Sequence, residues 1–309
     1  GDFKIEPRKT YGHVSDGMCA SERELGLGDS HEGIILLRDY GFTPQEYKAL
    51  KPGDDAMHLL HLDQPILEIN ITPDRGYAFS YRGVAREYHH STGAKFVDPV
   101  TELNKRAPAA PAAESGVSSD IEVIVDDNNP IHGVTGCDRY VARAIHGFDP
   151  TNHTPNWMRR RLIRAGMRSI SLAVDVTNYV MLDLGQPMHA YDLDKIEGPI
   201  VVRRAAEGEK LTTLDGKEHD LSVEDLLITD SPDGKRGSRI LGIAGVMGGL
   251  YGEVTADTKN ILLEAAHFDS VSIARSARRH KIPSEASRRF ERGVDTQLQP
   301  AAAQMAAEL

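Results

Sequence analysis

Two cysteines, Cys19 and Cys137, are all the thiols in this chain of 309 residues. They are too few for a disulfide framework and lack metal-ligand spacing, so a reducing cytoplasm is the expected compartment. Long apolar runs are missing too. None reaches the roughly 18 residues needed to span a bilayer, and no basic-then-apolar leader opens the chain, so no membrane partner is expected. There is no Gly-Lys-Ser/Thr phosphate loop, no His-Glu-x-x-His pair and no Gly-x-Ser-x-Gly elbow. No carboxylate cluster suggests a metal. Positive charge is in deficit: 36 Lys and Arg against 46 Asp and Glu leave a net −10, which on average disfavours a nucleic-acid partner. Charge is local, however, and an average can hide a basic face.

What is present reads as two or three soluble domains of the α+β class with mixed sheets. The chain opens on Gly1 without Met and stops inside an Ala-rich helical pattern, Ala301 to Leu309, so a piece of a longer protein is expected. Pro and small residues over 107–119 offer little apolar surface and predict a semi-extended linker. Before it, short β-like runs at His13–Ala20 and Gly33–Leu37 flank turn chemistry at Gly26–Asp29. An apolar strand is expected at Ile66–Ile71, and a helix from about Ser80 to Ser91. After the linker, Ile121–Val125 alternates as a half-buried strand does. Pro155–Met167 predicts a helix that Thr154 could cap. Ile200–Arg203, Leu211–Thr213 and Asp225–Thr229 predict strands, with a hairpin turn at Leu214–Lys217. Ile261–Ala266 is a buried strand or a short helix. Ser270–Arg279 predicts a helix, stopped by Pro283.

Four constellations carry chemistry. In Val174-Asp-Val-Thr-Asn-Tyr-Val-Met-Leu-Asp-Leu-Gly-Gln-Pro-Met-His189, a helix-like apolar run and a Gly/Pro break separate Asn178 from His189. Two uncharged hydrogen-bonding groups so placed could orient a carbonyl or a water; equally, His189 could be a satisfied core histidine and Asn178 a turn cap. Ile243-Ala-Gly-Val-Met-Gly-Gly249 lets a backbone or ligand come close, or is a glycine-rich bend in a sheet; it matches no phosphate-cradling pattern. Glu264 is the only charge in its apolar run. Burying it is costly without a partner, which could be an Arg, backbone N–H groups or a substrate hydroxyl. Arg275–Arg292 holds seven Arg/Lys against two Glu, and Arg159, Arg160, Arg161, Arg164 and Arg168 form a second patch. Both could contact phosphates, with Arg278 and Arg279 in the first, or be solvated faces with internal ion pairs.

Taken in order, the Val174–His189 text, Ala244-Gly-Val-Met-Gly-Gly249, Asn260-Ile-Leu-Leu-Glu-Ala-Ala266 and Glu285-Ala-Ser-Arg-Arg-Phe-Glu-Arg-Gly-Val-Asp295 resemble the β subunits of bacterial phenylalanine–tRNA ligases. Upstream, Gly12–Leu27, Asn70–Gly76 and Gly83–Glu87 are similar to that family as well, so the resemblance covers nearly the whole chain. It implies the C-terminal part of an oligonucleotide-binding β-barrel insert at 1–52 and the returning half of a small α/β domain at 53–106. After the linker at 107–119 it implies a mixed α/β editing domain at 120–309. Half a barrel should leave edges unpaired, so residues 1–52 are expected to be poorly ordered or to pair with sequence not present.

The family resemblance also implies an activity. These ligases attach phenylalanine to its tRNA with ATP and Mg²⁺ at a site in the α subunit, within an α2β2 assembly. The β subunit's editing domain hydrolyses tyrosine wrongly attached to tRNA(Phe). The carried-over residues are Thr177, Asn178 and His189 around the ester, with Ala244, Gly245, Glu264, Ser284 and Ala286 around the side chain. The family commonly has Thr where Ser284 stands. No cofactor or metal is expected to bind this stretch itself. The competing reading is a non-catalytic tRNA-binding and subunit-assembly module.

Overall fold

The computed structural model describes residues 4–27, 31–37, 42–107, 117–119 and 121–309. Most of the expected linker, 108–116, and the end of the Gly26–Asp29 turn lie outside the described residues. In chain order the first elements are β1 (Arg8–Thr10), β2 (His13–Ser15), α1 (Pro44–Ala49), α2 (Ala56–Leu59), α3 (Tyr81–Thr92) and α4 (Pro99–Arg106). Then come β3 (Val117–Ser119), β4 (Val123–Asp126), β5 (Cys137–His146), α5 (Asn156–Arg164), α6 (Leu172–Leu184), β6 (Met188–Asp192) and β7 (Ile200–Arg204). The last are β8 (Lys210–Thr212), β9 (Glu218–Asp220), β10 (Leu226–Asp230), β11 (Arg239–Ile243), β12 (Met247–Gly248), β13 (Asn260–Phe268), α7 (Ser270–His280), α8 (Glu285–Phe290) and α9 (Gln299–Glu308). The class is α+β with several mixed sheets, as expected.

Two compact units emerge: Gly1–Ile66 with His153–Ile170, and Leu67–Asn152 with Ser171–Leu309. The first holds the β1–β2 hairpin, α1, α2 and α5. Its core is small, Leu27 and Leu60 packed by Leu25, Ile35, Leu37, Phe42, Leu62 and Ile163. No barrel closes among the described residues. Two expected strands, Gly33–Leu37 and Ile66–Ile71, are irregular chain instead. Apolar residues favour a strand only where a neighbouring strand completes the hydrogen-bond ladder, and among the described residues neither segment has one. Helix α5 forms where the Arg-rich text predicts it, with Pro155 at the cap position and no cap bond from its own side chain.

The second unit stacks two sheets. One has the order β12-β11-β10-β7-β4, the other β3-β5-β13-β6, and β8–β9 is a separate hairpin over the predicted Leu214–Lys217 turn. The main core lies between the sheets: Ile200, Val202, Leu226, Ile228 and Leu241 come from one, Tyr140, Ala142, Tyr191, Leu262 and Ala266 from the other. On the far side of the second sheet, Val141 and Ala265 meet Ala303 of α9. Strand β13 is central, pairing antiparallel with β5 and β6. That settles its alternative readings: with both faces covered it needs no polar alternation, so a continuous apolar run is a strand.

Residues well before β5 are woven into this unit. Strand β4 pairs in parallel with β7. The Asp127 carboxylate, fully buried, holds the Arg204 guanidinium at 2.8 Å. Arg289, on α8, donates to the carbonyl of Phe79 at 3.1 Å, and Arg292 donates to that of Ile71 at 2.9 Å. Gly76 lies so close to Arg292 that a Cβ would stand 2.6 Å from its carbonyl oxygen. The segment from Ile71 to Phe79 is thereby fastened to α8.

Candidate functional site

Helix α6 carries the first wall. Its run of apolar residues has one charge in the first turn, Asp175, and Gly185 ends it in the left-handed region at φ 92°. A side chain is strained there, which is why a glycine stops the helix. Gln186 then anchors the turn: buried, its amide donates to the carbonyls of Pro187 and of Ala266 on β13. Strand β6 follows at once and delivers His189 opposite Glu264 in the ladder.

A cavity of about 230 Å³ opens between α6, β6, β13, the β11–β12 turn and α8. All eight residues expected around the ester and the side chain line it: Thr177, Asn178, His189, Ala244, Gly245, Glu264, Ser284 and Ala286. It is smaller than the about 300–1,000 Å³ of drug-sized ligand sites, and suits an amino-acid-sized group.

Glu264 is 7% exposed. Its partners are neither arginine nor backbone: the hydroxyls of Tyr140 and Tyr191 both donate to Oε2, each at 2.8 Å. Oε1 has no hydrogen-bond partner among the described residues. Burial pushes the Glu264 carboxyl above the usual carboxylate range, opposed by the two phenol donors. The same burial, with the carboxylate alongside, raises both tyrosines far above their ordinary value, so they remain O–H donors.

The His189 ring meets Tyr191 edge-on, with centroids 4.5 Å apart. Gly248 is what admits the ring: a Cβ there would stand 2.6 Å from Cε1. Burial alone lowers the His189 pKa to about 4. At neutrality it is an uncharged imidazole, with one N–H and one lone pair. Neither ring nitrogen, nor the Asn178 amide, has a hydrogen-bond partner among the described residues. The Thr177 hydroxyl is committed within its own helix, donating to Val174 O at 2.8 Å.

The glycine turn is shaped from behind. Gly245 has φ 64°, and a Cβ would meet Phe290 at 2.9 Å and Phe268 at 3.1 Å. Its missing side chain therefore serves the core behind the turn. Ser284 caps α8, accepting from Ser287 N, and its hydroxyl donates to Val246 O at 3.0 Å, tethering the turn. Ala286 packs on the core.

The basic residues divide. In the first unit Arg159 pairs with Glu22 at 2.7 Å. Arg161 lies over the Trp157 ring at 5.5 Å. Arg164 holds Pro65 O at 3.0 Å. Desolvation lowers the pKa of Arg160. In the second unit Arg279 bonds Asp225 and Glu224, and Arg275 bonds Glu224. Arg278 is exposed. Much of the local positive charge is thus matched by acids distant in sequence.

Tyr140 and Tyr191 are the contributors that sequence reasoning missed. Tyr191 was within reach, two residues beyond His189 and so on the same face of a strand. Tyr140 was not, since only the register of β5 on β13 brings it to Glu264. Among the described residues no three His, Cys, Asp or Glu side chains gather as a metal site, and no helix is long and apolar enough to cross a membrane.

Fold and cavity together define an α+β unit whose cavity is walled on one side by a buried carboxylate, Glu264. The chain belongs to the B3/4 domain family, whose pattern matches residues 136–309. Over 100% of its length it is 83% identical to the "Phenylalanine--tRNA ligase beta subunit" of Bifidobacterium longum, of which it covers 36%. It is 55% identical to the protein of that name from Leifsonia xyli over 99% of the chain and 34% of the relative. A third, from Thermobifida fusca, is 50% identical over 100% of the chain and 34% of the relative. The resemblance expected from the sequence therefore holds, and the chain spans about a third of the length of these relatives. A solved N-terminal fragment of the phenylalanyl-tRNA synthetase β-subunit from Pyrococcus horikoshii aligns over 79% of this chain and 71% of its own, at TM-score 0.35 and 17% identity. That likeness is too loose to carry an argument.

Proposed function

We propose that this chain carries the hydrolytic editing site, and part of the tRNA-binding surface, of a phenylalanine–tRNA ligase β subunit. Its substrate is tRNA(Phe) wrongly charged with tyrosine. The observation that carries the reading is Glu264: a buried carboxylate with one oxygen satisfied by two phenols and the other free, inside a cavity of amino-acid size. Phenylalanine and tyrosine differ by one hydroxyl, which an apolar pocket rejects poorly. A site that accepts a hydrogen bond from that hydroxyl selects tyrosine, because phenylalanine leaves Oε1 desolvated and unpaired.

In this reading a water oxygen attacks the ester carbonyl carbon. The bond to the terminal ribose oxygen breaks, and that oxygen takes a proton, releasing tyrosine and intact tRNA. Asn178 and neutral His189 orient the carbonyl and the water. Burial makes His189 a weak base, so its part is positioning; the tRNA's own neighbouring hydroxyl can assist the proton transfer. Residues 1–52 belong to an oligonucleotide-binding insert, 53–106 to a small α/β domain and 120–309 to the editing domain. ATP and Mg²⁺ act at the activating site of the α subunit, in a cytoplasmic α2β2 assembly. Exposed Arg278 and half-buried Arg160 are the basic residues we assign to tRNA contact.

The test is hydrolysis of tyrosyl-tRNA(Phe) and phenylalanyl-tRNA(Phe) by the chain and by Glu264→Ala. Tyrosine-selective hydrolysis lost in the variant supports editing. A folded chain that binds tRNA and hydrolyses neither ester favours the non-catalytic binding and assembly module.

A further inference from the structure

We infer that Tyr140 and Tyr191 are positioning residues of this cavity: together they lock the Glu264 carboxylate so that Oε1 alone is presented to a phenolic hydroxyl of the bound amino acid. The inference rests on the editing reading and deepens it. The terminal torsion of a glutamate is broad and roughly two-fold. An unrestrained carboxylate would therefore offer either oxygen over a range of directions and read a hydroxyl poorly. Here rotation is opposed on both sides. Tyr140 reaches Oε2 from β5 and Tyr191 reaches the same oxygen from β6, each at 2.8 Å. Turning the carboxylate breaks both charge-assisted bonds at once.

The supports are themselves fixed. Tyr140 is 0% and Tyr191 2% exposed. Gly252 leaves the space that the Tyr191 ring fills, since a Cβ there would stand 2.9 Å from Cδ1. The groups facing Glu264 are Tyr140 and Cys137 from β5, Tyr191 and His189 from β6, and Glu285 across the cavity from α8. None of them is a cation at neutrality, so the carboxylate is oriented by phenols alone. A tyrosine substrate then becomes the third phenol on one carboxylate, donating to the oxygen that the other two leave free.

The experiment uses Tyr140→Phe, Tyr191→Phe and the double variant in the full chain, with tyrosyl- and phenylalanyl-tRNA(Phe) hydrolysis followed against pH. Phenylalanine keeps both rings, and for Tyr191 also the edge contact with His189, while removing one donor from Oε2. Each single change is expected to cut the tyrosine preference about 10-fold. It should also move the acid limb of tyrosyl hydrolysis to higher pH, because one donor fewer stabilises the anion. A purely structural role would lower the melting temperature and leave both the preference and the limb in place; that result overturns the inference. Should the unmutated chain hydrolyse neither ester, the editing reading fails, and calorimetric binding of tyrosine methyl ester against phenylalanine methyl ester decides the positioning by itself. A tyrosine preference that the two variants abolish upholds it; equal affinities in the unmutated chain overturn it.

Discussion

Acid should unfold this protein partly through one histidine, and His189→Gln isolates the effect. The His189 pKa falls from 6.5 to about 4 because burial penalises the imidazolium. The unfolded chain therefore binds a proton near pH 6.5 that the folded chain refuses until about pH 4. Between those values the unfolded state holds more protons, so stability falls as pH falls; above about 6.5 the penalty vanishes. The full gap corresponds to about 3 kcal/mol, and titration to pH 5 realises about 2 kcal/mol of it. Glu264 works the other way. Its raised pKa means the folded state takes up that proton first, so acidification relieves a penalty, but Glu264 is present in both proteins and cancels from the comparison. Urea unfolding of the two proteins from about pH 7.5 to about pH 5 should show the unmutated chain losing about 2 kcal/mol more than His189→Gln. The absolute stability of the variant is not the readout, since it also loses the edge contact with Tyr191. If the two stabilities fall in parallel, the ring is solvated and the account of His189 is wrong.

Glu264→Gln keeps an acceptor for the phenols but removes the charge, and should lower the ratio of kcat/KM for tyrosyl over phenylalanyl ester by about 10- to 100-fold; an unchanged ratio would contradict the pocket's logic. Gly245→Ala combines a left-handed φ with a Cβ 2.9 Å from Phe290, and should destabilise by about 2 kcal/mol in thermal melting. Ser284→Ala loses the α8 cap and the tether to Val246 and should cost about 1 kcal/mol, whereas Ser284→Thr should keep most of both; equal losses in the two would mean the hydroxyl is idle. Arg278→Ala should reduce the salt slope of tRNA binding by about one without altering stability. Arg279→Ala should instead cost about 1–3 kcal/mol of stability, because buried Asp225 loses a partner.

Much of the site was legible before any coordinates, and what was not shares a physical reason. The α6 helix and the glycine that ends it follow from its apolar run and one turn residue, while β13 was legible only as a buried apolar run until its pairing with β5 and β6 made it a strand. The burden on Glu264 was visible as a lone charge in an apolar run. What answers that burden was not visible, because Tyr140 and Tyr191 arrive 124 and 73 residues away in sequence, through strand register. The acids that pair with the arginines were hidden in the same way: Glu22 meets Arg159, and Glu224 and Asp225 meet Arg279, from positions far away in sequence. Local pattern also over-promised strands at Gly33–Leu37 and Ile66–Ile71, where no strand partner is found among the described residues.

The clasp between α8 and the Ile71–Phe79 segment bears on where this fold can be divided. Recognition of the family by residues 136–309 suggests a natural module beginning there. Severing the chain at that point would strip Arg289 of the Phe79 carbonyl and Arg292 of that of Ile71. It would also remove β4 from the edge of its sheet and leave Arg204, buried beside the core, without the carboxylate of Asp127. Each loss exposes a ladder edge or orphans a cation in a poorly solvated place. The smallest piece able to fold and hold α8 against the cavity should therefore start near residue 67, where the compact unit itself begins. A genetic fusion, a circular permutation or a transplanted editing module would inherit that boundary rather than the one at which sequence similarity becomes recognisable.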